Sequence, residues 1–87
     1  MKNSSVTEYW CIFATKVSIR NDKLVIGRFF GLNETQIPIE KINLVGKNLI
    51  WETTVSTVGG EDYKITPWSM ESRKTFYNKL QKIIVEK

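Results

Sequence analysis

Hydrophobic and polar positions alternate in short runs over most of the chain, and the period changes near the end. Val17 and Ile19 stand on one side of an extended segment, with Lys16, Ser18 and Arg20 on the other, the two-residue repeat of a half-buried strand. Asn21-Asp22-Lys23 supplies a turn, and Leu24-Val25-Ile26-Gly27-Arg28-Phe29-Phe30 returns as the second strand of a hairpin. Gly31-Leu32-Asn33 interrupts it. In the next segment Ile37, Ile39 and Ile42 carry the burial, while Pro38, lacking an N–H, restricts the strand to an edge, a short run or a strand start. Ile39-Glu40-Lys41-Ile42 reads as a single helical turn before extended structure resumes at Asn43-Leu44-Val45.

Gly46-Lys47-Asn48 marks another turn. The run from Leu49 to Val58 places Leu49, Trp51, Thr53 and Val55 on one strand face, and Gly59-Gly60 offers the positive φ of a tight hairpin before a last strand over 61–66. Trp10 and Trp51 are assigned to the core. From about Met70 to Val85 the period becomes helical: Phe76, Leu80, Ile83 and Ile84 share a face with Tyr77 at its margin, and Lys74, Asn78, Gln81 and Lys82 face solvent. Lys79 and Lys82 complement the dipole near the C-terminal end. Thr66 and Ser69 compete as its N-cap, and the pattern favours Ser69. The expectation is one α+β domain over 1–87: six short antiparallel strands, or seven if Val6 to Arg20 bends, in a curved sheet or partly open barrel. One C-terminal helix at about 69–85 caps it, and residues 1–5 are frayed.

Charge and composition narrow the function more than they define it. Thirteen basic and nine acidic residues leave a net charge of +4, compatible with anionic partners without requiring them. The single cysteine, Cys11, lies in the apolar run Tyr9 to Ala14, where a buried inert thiol is the ordinary outcome and no intramolecular disulfide can form. No signal-peptide core follows Met1, and no apolar run approaches the roughly 20 residues of a membrane span, so a cytoplasmic location is expected. Histidine is absent, which removes the commonest general base and metal ligand. Gly59-Gly60 lacks the Lys-Ser/Thr of a phosphate loop, and the adjacent acids Glu61-Asp62 lack calcium-loop spacing. The chain is therefore read as non-enzymatic, with no cofactor.

The order of these elements carries a family resemblance. A strand pair about Asn21-Asp22-Lys23, the segment Ile37-Pro38-Ile39-Glu40-Lys41-Ile42, and Ile65-Thr66-Pro67 leading into a helix with Phe76 and Leu80 together resemble bacterial pleckstrin-homology-like (PH-like) domains. Those domains carry an I-P-(I/L)-x-x-I segment mid-chain, and their C-terminal helix plugs a curved sheet. The likeness covers about residues 9–85, in a chain shorter than typical members. It implies binding of lipids, peptides or protein surfaces, and frequent oligomerisation. The basic-x-Arg step of phosphoinositide binders is missing from the first hairpin, so lipid specificity does not transfer.

Two sets of candidate contacts follow. For a protein partner they are Trp68, Arg73, Arg28 and Phe30, since Trp and Arg are enriched in interface hot spots. Core burial of Trp68 at the helix-sheet seam and snorkelling of Arg73 over the sheet rim are the competing structural readings. For an anionic ligand they are Lys16, Arg20, Lys23 and Lys47. The leading expectation is a small protein-binding module that regulates or inhibits a partner or protects against one, as a bacterial or phage immunity protein does. A second copy of the chain and a membrane surface are further candidate partners. Nucleic acid is disfavoured, because Gly27-Arg28-Phe29-Phe30-Gly31 does not follow the order of an RNA-binding aromatic strand.

Overall fold

Alternation over the first three quarters of the chain folds into seven antiparallel strands in two sheets. The computed structural model describes residues 7–20, 22–29 and 32–86. The first sheet has the order β1 (Thr7–Cys11), β2 (Thr15–Ile19), β3 (Lys23–Arg28) and β4 (Asn33–Pro38). A single 3-10 turn at Ile39–Lys41 leads to the second sheet: β5 (Ile42–Lys47), β6 (Thr53–Thr57) and β7 (Asp62–Ile65). Helix α1 (Met70–Glu86) follows and packs against β5. The two sheets do not close into a barrel. The seventh strand arises where Val6 to Arg20 bends: Phe13 and Ala14, at φ of 60° and 54°, reverse the chain so that Tyr9 pairs with Val17 and Trp10 with Lys16.

The two-residue period sends Tyr9, Cys11, Val17, Ile19, Leu24 and Ile26 inward from the first sheet, to meet Val45, Val55 and Ile65 of the second. The helix delivers Phe76 and Leu80, both fully buried, and the Tyr9 ring meets the Phe76 ring edge-on at 5.4 Å. Burying each such side chain contributes about 1.5–3 kcal/mol. Ile83, Ile84 and Tyr77 pack at the margin of this core. Ser69 is the helix cap: its Oγ accepts the Ser72 N–H at 3.0 Å, and its carbonyl accepts the Arg73 N–H at 3.0 Å. Glu71 suits the positive N-terminal end, but the last turn holds no basic residue, because Lys79 and Lys82 fall before it.

Three expectations are corrected. The strand expected from Leu49 begins only at Thr53, because the Asn48 side chain captures the backbone. Its Oδ1 accepts the N–H groups of Ile50 and Glu52 at 3.1 and 3.0 Å, winding 48–52 into a turn that leaves Leu49 98% exposed. Trp10 is not core: between inward-facing Tyr9 and Cys11 it must face out, and it is 54% exposed. Trp51 is half-buried and off the strand, at φ 61°, with its ring edge-on to Tyr77.

Successive turns fall alternately at two ends of the molecule. At one, Ile39 N–H donates to the Asp22 carbonyl and Val58 N–H to the Lys41 carbonyl, each at 2.9 Å, tying together the β2–β3 turn, the 3-10 turn and the β6–β7 turn. At the other lie the β1–β2, β3–β4 and β5–β6 turns and the Thr66–Ser69 hinge between β7 and α1. Here Ile12 N–H donates to the Thr66 carbonyl and Trp68 N–H to the Trp10 carbonyl, both at 3.1 Å, and Cys11 bridges Pro67.

Candidate binding surface at the hinge end

Side chains lock the hinge end together. Arg73, one turn into α1, donates from Nε to the Pro67 carbonyl at 2.8 Å and from Nη1 to the Ile50 carbonyl at 3.2 Å. Glu52 accepts from Thr66 Oγ1 at 2.9 Å and from Asn48 Nδ2 at 3.1 Å. The β5–β6 turn is thereby fastened to the hinge from both sides. Between the hinge and the first sheet lies an open cavity of about 350 Å³, whose lining includes Ile12, Phe13, Phe29, Arg28, Lys64 and Thr66.

Apolar side chains crowd this end and point outward. Phe13 is 83% exposed, Trp68 64% and Phe29 58%, and Leu32, Leu49 and Ile50 are exposed beside them on the β3–β4 and β5–β6 turns. The four described non-glycine residues with positive φ (Phe13, Ala14, Phe29 and Trp51) all lie in these turns. A left-handed backbone costs a residue with a Cβ about 1–2 kcal/mol. Such strain persists where surrounding contacts impose it, and it gathers at functional sites.

Of the expected partner contacts, Trp68, Arg28 and Arg73 come together here. Trp68 is open to solvent and Arg28 lines the cavity mouth, whereas Arg73 spends its guanidinium on the two carbonyls of the hinge and turn. Phe30 lies outside the described residues. The four expected anion contacts do not gather as one set. Lys16 pairs with Glu8 at 3.5 Å and lies over the Trp10 ring, and it shares a hollow of about 200 Å³ on the outer face of the first sheet with Arg20 and Glu34. Lys23 donates to Gln36 Oε1 at 2.9 Å. Lys47 belongs to the second sheet, 4.3 Å from the Trp51 ring, whose centre also has Lys74 at 5.6 Å.

Phe13, Phe29, Leu49 and Ile50 were missed in the sequence because each was assigned to a strand. A signal existed for Leu49 and Ile50, since Asn48 stands where it can seed a turn, whereas Phe13-Ala14 turns without any Gly, Asn, Asp or Pro to announce it.

Burial pushes the Cys11 thiol up to about 11, although backbone groups of Thr66 and Val17 pull the other way, so it remains a neutral, unreactive lining group near pH 7. Towards the other end, where Glu61 stands on the β6–β7 turn, the Tyr63 hydroxyl donates to Glu61 Oε1 at 3.1 Å, a bond that raises its pKa and holds its proton. Among the described residues, no three of His, Cys, Asp and Glu converge as metal ligands, and no helix is long and apolar enough to cross a membrane. Compared with protein-family models and with curated proteins, the chain matches none.

Proposed function

We propose that this chain is a non-enzymatic protein-binding module of PH-like type that regulates or inhibits its partner, and that it makes contact through the hinge end. The carrying observation is the convergence of exposed Phe13, Phe29, Ile50 and Trp68 around one braced hinge. Apolar side chains held in water on strained turns cost free energy that a partner surface returns, and contiguous exposed apolar patches mark interaction sites. Trp68 and Arg28 serve as contacts, and Arg73 holds the hinge in position. The anionic-lipid reading has less support: Lys16 and Arg20 share a hollow on the first sheet, but Lys16 already pairs with Glu8, Lys23 donates to Gln36, and Lys47 lies on the second sheet over the Trp51 ring.

Quantitative capture from native lysate tests the reading, with three baits whose amide spectra match the parent. A specific partner should be retained by Val58→Ser, at the opposite end, and lost from Trp68→Ser and Ile50→Ser. A partner retained by all three baits rules out the hinge end as the contact surface.

A further inference from the structure

The hinge-end cavity combines two features that specify what enters it. Its apolar lining is built from Cys11, Ile12, Phe13, Phe29 and Ile65, of which Cys11 and Ile65 are buried and Phe13 and Phe29 open to solvent. Its charged lining is unbalanced in use. Glu52, the one carboxylate there, is already held by Thr66 Oγ1 and Asn48 Nδ2. Arg28 and Lys64, the two cations, have no ion pair among the described residues, whose one salt bridge joins Lys16 to Glu8. The cavity thus offers an apolar socket whose lining carries two positive charges without an ion pair among the described residues.

We propose that this cavity takes a bulky apolar side chain from an extended acidic segment of a protein partner, with flanking carboxylates meeting Arg28 and Lys64. The inference rests on the protein-binding reading and adds the chemistry of the partner. At about 350 Å³ the cavity has the size of a small ligand pocket, roughly a dozen water volumes. That accommodates one aromatic or large aliphatic side chain with its backbone, and falls short of a membrane lipid's acyl chain. A lipid headgroup would use the cations but gain nothing from the apolar lining. Phe13 and Phe29, held at φ of 60° and 53°, form the lip, so the socket is shaped before anything enters it.

Amide chemical shifts of the whole chain give the test, read against three blocked peptides and one vesicle. The peptides are Ac-Glu-Asp-Trp-Asp-Glu-amide, the same with Ala for Trp, and Ac-Lys-Lys-Trp-Lys-Lys-amide; the vesicles are phosphatidylcholine with one quarter phosphatidylglycerol. The acidic Trp peptide, at up to millimolar concentration, should shift Phe13, Arg28, Phe29 and Lys64. Its affinity should fall about tenfold in the Arg28→Glu/Lys64→Glu variant and weaken as salt rises. Equal binding of the Ala or Lys peptide, or shifts elsewhere on the surface, overturns the socket. No peptide binding, with a lysate partner still lost from Trp68→Ser, overturns the socket and leaves the module standing. Shifts produced by vesicles alone overturn both.

Discussion

The two ends of this fold close their turns by different chemistry. At the end that holds the β2–β3 and β6–β7 turns, the sequence uses ordinary turn residues: Asp22 closes one hairpin, and Gly60 supplies the positive φ, 89°, of the other. Those turns are tied to the 3-10 turn by backbone bonds, and Val58 is the one large apolar side chain exposed on them among the described residues. At the hinge end the same backbone reversals are imposed on Phe13, Ala14, Phe29 and Trp51, and the rings of Phe13 and Phe29 so placed stand in solvent. A chain selected only for stability would put Gly or Asn at such positions. That difference is the ground for placing the proposed contact surface at the costly end.

The largest expected effect tests whether both ends hang on one core. Phe76→Ala should destabilise the fold by about 3–5 kcal/mol in urea unfolding, with both ends losing structure in a single transition. Two transitions would mean that the ends are separate cooperative units and would break the comparison. Next, Arg73→Met removes the brace from one end alone. A loss of about 1–2 kcal/mol is expected, with faster hydrogen exchange at Trp51 and Trp68 and unchanged exchange at Val58 and Gly60.

The sharpest contrast uses single glycine exchanges. Ala14→Gly, at φ 54°, should raise stability by about 1 kcal/mol, whereas Gly60→Ala, at φ 89° with open space around its Cβ, should lower it by about as much. Equal signs would show that backbone strain does not distinguish the ends. The smallest effect is the pH response of Cys11. Its thiol moves from an unfolded value of 9.0 to about 11 on folding, so the folded chain keeps a proton that the unfolded chain releases. Stability from this group is complete below about pH 9 and is lost as pH climbs towards about 11, and Cys11→Ser should flatten that part of the curve. Thiol-reagent titration at pH 8 should find the native thiol slow.

Much of the architecture was legible because it depends on periodicity and local turn chemistry. The period of two placed Val17 and Ile19 inward; of the three positions Pro38 allowed, edge, short run or strand start, the edge is the one β4 takes; Ser69 marked the start of α1. Phe76 and Leu80 on one helical face identified the plug. Half of the candidate surface was legible as well, through Trp68 and Arg28. Arg73 was legible as a residue the core pattern did not absorb, but its two carbonyl acceptors were not, because Ile50 lies 23 positions away in the chain. Leu49 was misplaced because one side chain, that of Asn48, outcompeted the strand ladder for backbone N–H groups, and no alternation pattern records such a competition.

By itself the sequence determined the helix-capped β architecture, its main inward-facing residues, the positions of the principal turns and the lack of the commonest general base. Those properties follow from side-chain period and backbone preference, which act over a few residues. Tertiary structure alone decided which turns meet. It drew the β1–β2, β3–β4 and β5–β6 turns to the Thr66–Ser69 hinge, set Phe13 and Phe29, in left-handed backbone, into the lining of one cavity, and left Arg28 and Lys64 beside them with no ion pair among the described residues. Bringing distant turns together requires the packed core that only the whole chain can build, so the surface became visible only once the chain was folded.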